Sequence, residues 1–150
     1  MAASSPGLAR GTFEVTMLPQ RTDALPGAEA LGRLLVSKRF HGDLEGSSEG
    51  QMLTATTGVE GSAGYVALER VTGTLFGRAG RFTLQHSGVM KRGDPRLTVE
   101  VVPDSGEGEL SGLAGSMEIV VANGEHSYEF RYSLPGPREP PRPEFPTSTS

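Results

Sequence analysis

The sequence has no cysteine and no tryptophan, and aromatic residues make up only 6% of its 150 residues. Without cysteine the chain can form no disulfide, no thiol-based catalytic centre and no cysteine-ligated zinc site. This composition is compatible with a reducing compartment, and we expect a cytoplasmic protein. No stretch approaches the ~20 apolar residues of a membrane helix, and the first ten residues lack the apolar run of a secretory signal.

The sequence also lacks a large excess of positive or negative charge. Lys and Arg total 14 against 18 Asp and Glu, which gives a formal charge of −4, and no basic stripe is visible. Proteins that bind nucleic acids or anionic membrane surfaces usually carry such a stripe, so we expect neither partner. The three histidines, His41, His86 and His126, lack the spacing of a metal site. We therefore expect no metal and no other cofactor.

Glycine is abundant, with 21 residues where average usage of ~7% would give about half as many. The glycines show no three-residue period, which excludes collagen, and they lie beside β-branched runs. This pattern indicates the turns and bulges of an all-β protein. Asn123-Gly124 is the strongest hairpin signal, since type I′ turns need positive φ at both central residues. Segments 58–61 and 77–80 are further predicted turns.

Alternating segments recur at the spacing expected of an all-β sandwich or barrel. The predicted strands cover residues 11–18, 33–45, 51–57, 64–75, 81–90, 97–102, 116–122 and 127–134. Because the connections are short, the pattern favours a single eight-stranded antiparallel β-barrel over a two-sheet sandwich, which needs longer crossovers. One short helix is predicted at residues 27–34, although Gly32 weakens it.

The sequence predicts one folded domain at residues 11–134, between a flexible segment 1–10 and a disordered tail 135–150. The tail holds six of the chain's 11 prolines. Because proline cannot donate to a β-ladder, this tail cannot join a sheet interior. Its PxxP-like string, residues 137–140, is the pattern of a polyproline ligand, but a solvated tail is the favoured interpretation.

Three polar residues fall on the predicted inner face of the strands. Side chains alternate along a strand, so His86 shares a face with Phe82, and Glu69 shares a face with Tyr65. Lys38 lies on the apolar face of its own strand. We therefore expect Lys38, Glu69 and His86 to project into the barrel.

The turn between the fourth and fifth predicted strands decides whether Glu69 and His86 can meet. A four-residue loop at 77–80 places Glu69 opposite Gly88, diagonal to His86, and a two-residue turn at Gly77-Arg78 pairs Glu69 with His86 directly. Every even-length loop keeps both side chains on one face, and an odd loop separates them. Opposed or diagonal partners are both within side-chain reach.

Two interpretations of these residues stay open. In the first, Lys38 and Glu69 form an internal ion pair and His86 is a satisfied core histidine. In the second, Glu69 and His86 are the catalytic acid and base at the floor of a pocket, and Lys38 or a tyrosine stabilises a substrate oxygen. The residues expected to bind the ligand are Lys38, Tyr65, Phe82, Phe40, Tyr128 and Tyr132. Ser48 completes a G-x-S-x-G pattern, but no helix follows it, so a serine nucleophile is not expected.

Four ordered motifs carry a family resemblance. They are GTFEV, FHGDLEG, YVALERVTGTLFGRAGRFTLQHSG and VVPDSGEGELSGLAGSM. Together they resemble an uncharacterised bacterial family of small barrels that is structurally similar to allene oxide cyclase. The resemblance implies a barrel of about eight strands. Related barrels bind hydrophobic, polyfunctional substrates and guide ring closure, often without a cofactor.

The sequence departs from that family in two places. Family members often carry a tryptophan in the strand before VVP, where this chain has Leu97-Thr98-Val99-Glu100, and the proline-rich tail extends beyond the usual end.

Three functions are compatible with these observations. The first is a cofactor-free isomerase or cyclase that acts on an apolar, polyfunctional molecule in the barrel. The second is a carrier or sensor that binds a small hydrophobic molecule without changing it. The third is an assembly role, in which outer faces form a homo-oligomer and the tail recruits a partner.

Overall fold

The computed structural model describes residues 4–21 and 31–135, and within these ranges the chain forms strands and no helix. The strands are β1 (Ser4–Gln20), β2 (Leu31–Gly42), β3 (Leu44–Thr56), β4 (Ala63–Leu75), β5 (Arg78–Lys91), β6 (Asp94–Val101), β7 (Glu107–Gly108), β8 (Ala114–Ala122) and β9 (Glu125–Pro135). No helix in these ranges has the length and apolar character needed to cross a membrane.

The strands form a closed antiparallel barrel. Strands β1 to β6 are neighbours in chain order, β6 pairs with β8, β8 with β9, and β9 returns to β1. The short β7 is an addition to these eight strands, because it pairs with the start of β5 beyond the end of β6. The predicted eight-stranded barrel is therefore confirmed.

The barrel wall is weakest between β6 and β8. The ladder between these strands contains the single pair Glu100 and Ser116. Further along, Leu97 and Val121 occupy inward positions by alternation, yet 41% and 62% of their surfaces are exposed. The barrel wall is therefore incompletely closed between β6 and β8, at the end of the barrel where β6 begins.

Apolar side chains fill one half of the barrel, at the end where β2 finishes and β3 begins. The fully buried residues include Phe40, Leu44, Phe82, Tyr128 and Phe130. The Tyr128 hydroxyl accepts a hydrogen bond from the Leu44 amide and donates to the His41 carbonyl oxygen, both at 3.0 Å. These two bonds tie β9 to the β2–β3 turn, and we call this packed half of the barrel the closed half.

The hairpin turns partly follow the sequence. Asn123 and Gly124 have φ of 53° and 77° and join β8 to β9, as predicted. The predicted turn at 77–80 is wrong in position, because the turn residues are Phe76 and Gly77, with φ of 47° and 81°. Gly80 instead lies within β5, where a Cβ atom would stand 2.1 Å from the Glu107 carbonyl oxygen of β7. This glycine therefore permits close strand contact rather than a turn.

Several predicted boundaries also differ. Residues 4–10, expected to be flexible, belong to β1 and pair with β9. The predicted strand 33–45 is interrupted at Asp43, where the chain turns from β2 into β3. The predicted helix is wrong for residues 31–34, which form the start of β2 and pair with β3.

Alternation explains why residues 31–34 form a strand, since Leu34 begins the inward series that continues through Val36 and Lys38. Gly32 also allows close packing, because a Cβ atom there would lie 2.7 Å from the Thr54 hydroxyl oxygen. The remaining residues of the predicted helix, 27–30, lie outside the described residues. So do residues 1–3 and the tail at 136–150 with its PxxP-like string.

Candidate functional site

Four polar side chains meet inside the barrel, one from each of four adjacent strands. Lys38 comes from β2, Ser48 from β3, Glu69 from β4 and His86 from β5, and all four are buried. The predicted inward placement of Lys38, Glu69 and His86 is therefore confirmed. We call these four residues the polar cluster.

Glu69 is the centre of the polar cluster. Its Oε1 accepts a hydrogen bond from Lys38 Nζ at 2.9 Å and lies 2.7 Å from His86 Nε2. Its Oε2 accepts a hydrogen bond from Ser48 Oγ at 2.6 Å. Within the described residues, no buried side-chain nitrogen or oxygen lacks a hydrogen-bond partner. The carboxylate is thus held by three side chains, and its orientation is fixed.

The strand register explains how Glu69 and His86 meet. Glu69 lies opposite Leu84, and His86 lies opposite Ala67, so the two side chains are diagonal neighbours on one face. Neither register proposed from the sequence is the observed one. The parity argument holds nonetheless, because the Phe76-Gly77 turn has an even number of residues.

Small residues on β3 allow Lys38 to reach Glu69 across an intervening strand. Gly50 lies opposite Glu69, and a Cβ atom at Gly50 would stand 2.8 Å from the Glu69 Cβ. Ser48 lies opposite Lys38 and is itself small enough to bond the carboxylate. The Lys38 ammonium also lies 4.9 Å from the centre of the Phe13 ring, a cation–π contact.

The carboxyl group of Glu69 is ionised. Burial by itself raises its pKa, but the hydrogen bond from His86, the positive charge of Lys38 and the bond from Ser48 outweigh burial and lower the pKa to about 2. An ionised carboxylate can only accept hydrogen bonds. Nε2 of His86 must therefore carry a hydrogen, and in the neutral ring Nδ1 is left as the acceptor.

A cavity of about 200 Å³ lies on the other side of the polar cluster from the closed half. Its walls are mainly apolar, with Val15, Val36 and Ile119 among them, and Lys38 and His86 are part of its lining. It continues into a wider opening of about 540 Å³, and Met17, Met52, Tyr65 and Leu97 line both spaces. We call this opening the mouth of the barrel.

Tyr65 lies at the boundary between cavity and mouth. Its ring covers Gly88 of β5, where a Cβ atom would stand only 2.3 Å from the ring. Burial and the nearby charge of Glu69 raise the pKa of Tyr65. Its phenol is therefore protonated at neutral pH and can donate a hydrogen bond.

The structure separates the predicted ligand-binding residues into two groups. Lys38 and Tyr65 line the cavity, as do the predicted catalytic residues Glu69 and His86. The other four lie away from it, since Phe40, Phe82 and Tyr128 are buried in the core of the closed half and Tyr132 packs against that core. The sequence pattern could not distinguish these groups, because both face inward.

Two polar members of the site were missed by the sequence analysis. Ser48 was assigned to a loop, although its alternation with Gly46 and Gly50 could have revealed an inward strand position. His126 lines the cavity and its ring lies 5.2 Å from that of Phe13. In the described part of the chain, no group of three His, Asp or Glu side chains is arranged to hold a metal ion.

Comparisons with known proteins give a family but no activity. Residues 9–132 match the family described as "Protein of unknown function (DUF3224)". A crystal structure of a DUF3224 protein of unknown function from Shewanella oneidensis MR-1 is 47% identical, with a TM-score of 0.83, and the match covers 89% of this chain and all of that one. A comparison with functionally curated proteins found no match. This chain therefore belongs to the DUF3224 family, a family of small β-barrels of unknown function.

Proposed function

We propose that the barrel binds a small, largely apolar molecule that places one oxygen-bearing group on the polar cluster. The observation that carries this proposal is the half-filled interior, with a packed core on one side of the cluster and an open, apolar cavity on the other. Small-molecule sites commonly combine apolar walls with a few fixed polar groups.

The size of the cavity limits the ligand. An enclosed apolar space of roughly 150 Å³ accommodates a benzene ring, so the cavity of about 200 Å³ suits one ring or a short branched chain. A longer molecule would extend into the mouth, whose further 540 Å³ brings the combined space into the range of ordinary ligand pockets. The ligand is therefore expected to insert one end deeply and leave the other near solvent.

The hydrogen-bonding capacity of the cluster limits the chemistry of the inserted end. Lys38 has three N–H donors, of which Glu69 takes one, and His86 offers Nδ1 as an acceptor when its ring is neutral. A hydroxyl or enol group would use this donor and acceptor together, and a carbonyl oxygen would use the Lys38 donor alone. A purely hydrocarbon ligand would leave both groups desolvated without a partner, which is costly.

Cofactor-free isomerisation or cyclisation is a second candidate function, and the 2.7 Å contact between Glu69 and His86 favours it. With its pKa near 2 and three bonds already formed, Glu69 is poorly suited to exchange a proton at neutral pH. In this scheme Glu69 orients the imidazole, His86 Nδ1 moves the proton, and Lys38 stabilises the developing oxyanion. A carrier would use the same residues only to hold the ligand.

Binding can be tested without knowing the natural ligand. Protein purified under native conditions is examined by native mass spectrometry for a retained molecule, and 1-anilinonaphthalene-8-sulfonate, an apolar dye with an anionic group, is titrated by fluorescence. Ala67→Leu fills the cavity from its buried wall, and Ala79→Leu adds the same atoms at an exposed position of β5. We expect Ala67→Leu to weaken dye binding at least tenfold and Ala79→Leu to leave it unchanged. Equal affinities would contradict the proposal.

Turnover separates the two candidates. A molecule recovered from the purified protein is incubated with fresh protein in deuterated water, and deuterium incorporation or a change of structure is followed by mass spectrometry. An isomerase or cyclase that works through His86 should catalyse one of these changes, and His86→Asn should abolish it while binding remains. Binding with no exchange and no product identifies a carrier.

A further inference from the structure

We propose that the outer wall of β1–β4 near the mouth is a dimerisation face that packs against the same face of a second copy of this chain. The wall carries six exposed aliphatic side chains, which we call the apolar face: Leu18, Leu31, Leu35, Leu53, Val66 and Leu68. By strand alternation these side chains lie on the opposite face of the wall from Lys38 and Glu69, so the proposal does not depend on the proposed function.

The strand register places these residues beside one another, so they are not isolated hydrophobic residues on the surface. Leu18 lies opposite Leu35 between β1 and β2, and Leu53 lies opposite Val66 between β3 and β4. Gln51 lies opposite both Leu35 and Leu68 and so joins the two pairs. The six residues therefore form one continuous surface across four strands.

The composition of the outer wall changes sharply along these strands. Towards the closed half, the outward positions of the same strands include Glu14, Arg39, Glu49 and Arg70. Within the apolar face the intervening outward residues are uncharged, with the exception of Arg33. Depletion of charge with retention of arginine is the composition typical of interface centres.

The exposed area of the apolar face is large for a single chain. More than half of each side chain is exposed except for Leu35, at 37%. Together they offer roughly 550 Å² of apolar surface, near the upper end of the ~300–600 Å² found for the largest patch on a monomer. A standard interface buries ~800 Å² per partner, so the apolar face together with the exposed Gln51 and Arg33 supplies most of the area that a stable dimer needs.

A second copy is the occupant that this geometry favours. β2 and β3 are paired on both sides, so the face offers no free strand edge to which a peptide could be added. Its near-neutral character offers no attraction to a strongly charged partner. A broad sheet surface is matched by another sheet at ~10 Å, and a two-fold axis brings an identical apolar face into register.

Sedimentation analysis of the full chain tests the proposal. At concentrations from ~1 to ~100 µM, which span the Kd of a modest interface, the wild-type protein is expected to show a particle of twice the 15.8 kDa chain mass. Leu53→Glu and Val66→Glu place a carboxylate in the centre of the face. Each is expected to raise the dimer Kd at least ~100-fold, since interface energy concentrates at such central residues.

Matched controls use the same two strands outside the face. Ser47 and Thr72 are exposed, outward and opposite each other, as Leu53 and Val66 are. Ser47→Glu and Thr72→Glu should leave the dimer intact, and thermal unfolding should show that all four variants remain folded. A wild-type chain that stays monomeric would overturn the proposal, as would a dimer that survives both Leu53→Glu and Val66→Glu or that the controls disrupt equally.

Discussion

Glu69 balances the buried positive charge of Lys38, so Glu69→Gln tests whether the polar cluster is held together by that charge. The substitution preserves the shape of the side chain and removes its negative charge. In the folded protein the pKa of Glu69 falls from 4.5 to about 2. At 1.36 kcal/mol per pKa unit, this shift corresponds to about 3 kcal/mol of stability at neutral pH. The value agrees with the ~3–5 kcal/mol lost when one partner of a buried ion pair is removed.

The dependence on pH gives the sharper measurement. Because the folded-state pKa of Glu69 is depressed, its contribution is complete above the unfolded value of 4.5 and disappears as the pH falls towards 2. Urea unfolding at several pH values should therefore show Glu69→Gln about 3 kcal/mol less stable than the wild type at pH 7. The two proteins should converge as the pH falls through 2, because the wild-type carboxyl group becomes protonated there.

A second variant separates charge from packing. Lys38→Met combined with Glu69→Gln removes both charges and keeps the length of the side chains. It should be more stable than Glu69→Gln alone at pH 7, because no ammonium is left without a counter-charge. A loss below about 1 kcal/mol in Glu69→Gln, or a difference that stays constant between pH 7 and pH 2, would refute the charge-balance argument.

Three further substitutions test the supporting structure. Gly88→Val should cost about 1–3 kcal/mol in urea unfolding, because the Tyr65 ring occupies the space of the new side chain, and an unchanged stability would show that the ring moves freely. Tyr128→Phe should cost about 1–3 kcal/mol, since the buried Leu44 amide loses its partner, and a melting temperature equal to that of the wild type would contradict this. Gly124→Ala should cost about 1–2 kcal/mol from its φ of 77° alone, because a Cβ atom there meets nothing within 4 Å, and calorimetry can check the value.

The barrel and the inward placement of Lys38, Glu69 and His86 were predictable because both depend on alternation. Alternation has a period of two, so it survives errors in strand ends and in turn length as long as the turn parity is right. The centre of the actual turn lies two residues before the centre of the predicted loop. The side chains of Glu69 and His86 nevertheless meet on the inner face of the barrel. The prediction of the fold was likewise robust, since it rests on the number of strands and their short connections and not on the exact pairing of residues.

Register and depth within the barrel were not predictable by the same means. Phe76 is an unusual turn residue, with its amide bonded to the Asp43 carbonyl of the adjacent turn at 2.9 Å. That contact joins parts of the chain that are distant in sequence, and no local pattern encodes it. The depth of a side chain along the barrel also depends on contacts between distant parts of the chain. Phe82 and His86 share an inward face, yet Phe82 belongs to the core and His86 lines the cavity.

The position of the polar cluster is the strongest argument that the cavity has a function. A purely structural barrel could replace a buried ion pair by apolar residues of similar volume with no loss of stability. This chain instead holds a charged pair between packed core and open cavity, and it places Ala67 rather than a larger residue in the wall beside the cluster. Such departures from the most stable arrangement are characteristic of functional sites.

Ala67→Leu therefore has two expected effects: a stability equal to or above that of the wild type, because it fills empty space, and a loss of ligand binding. A variant that is less stable and still binds would show that the space serves packing and not a ligand.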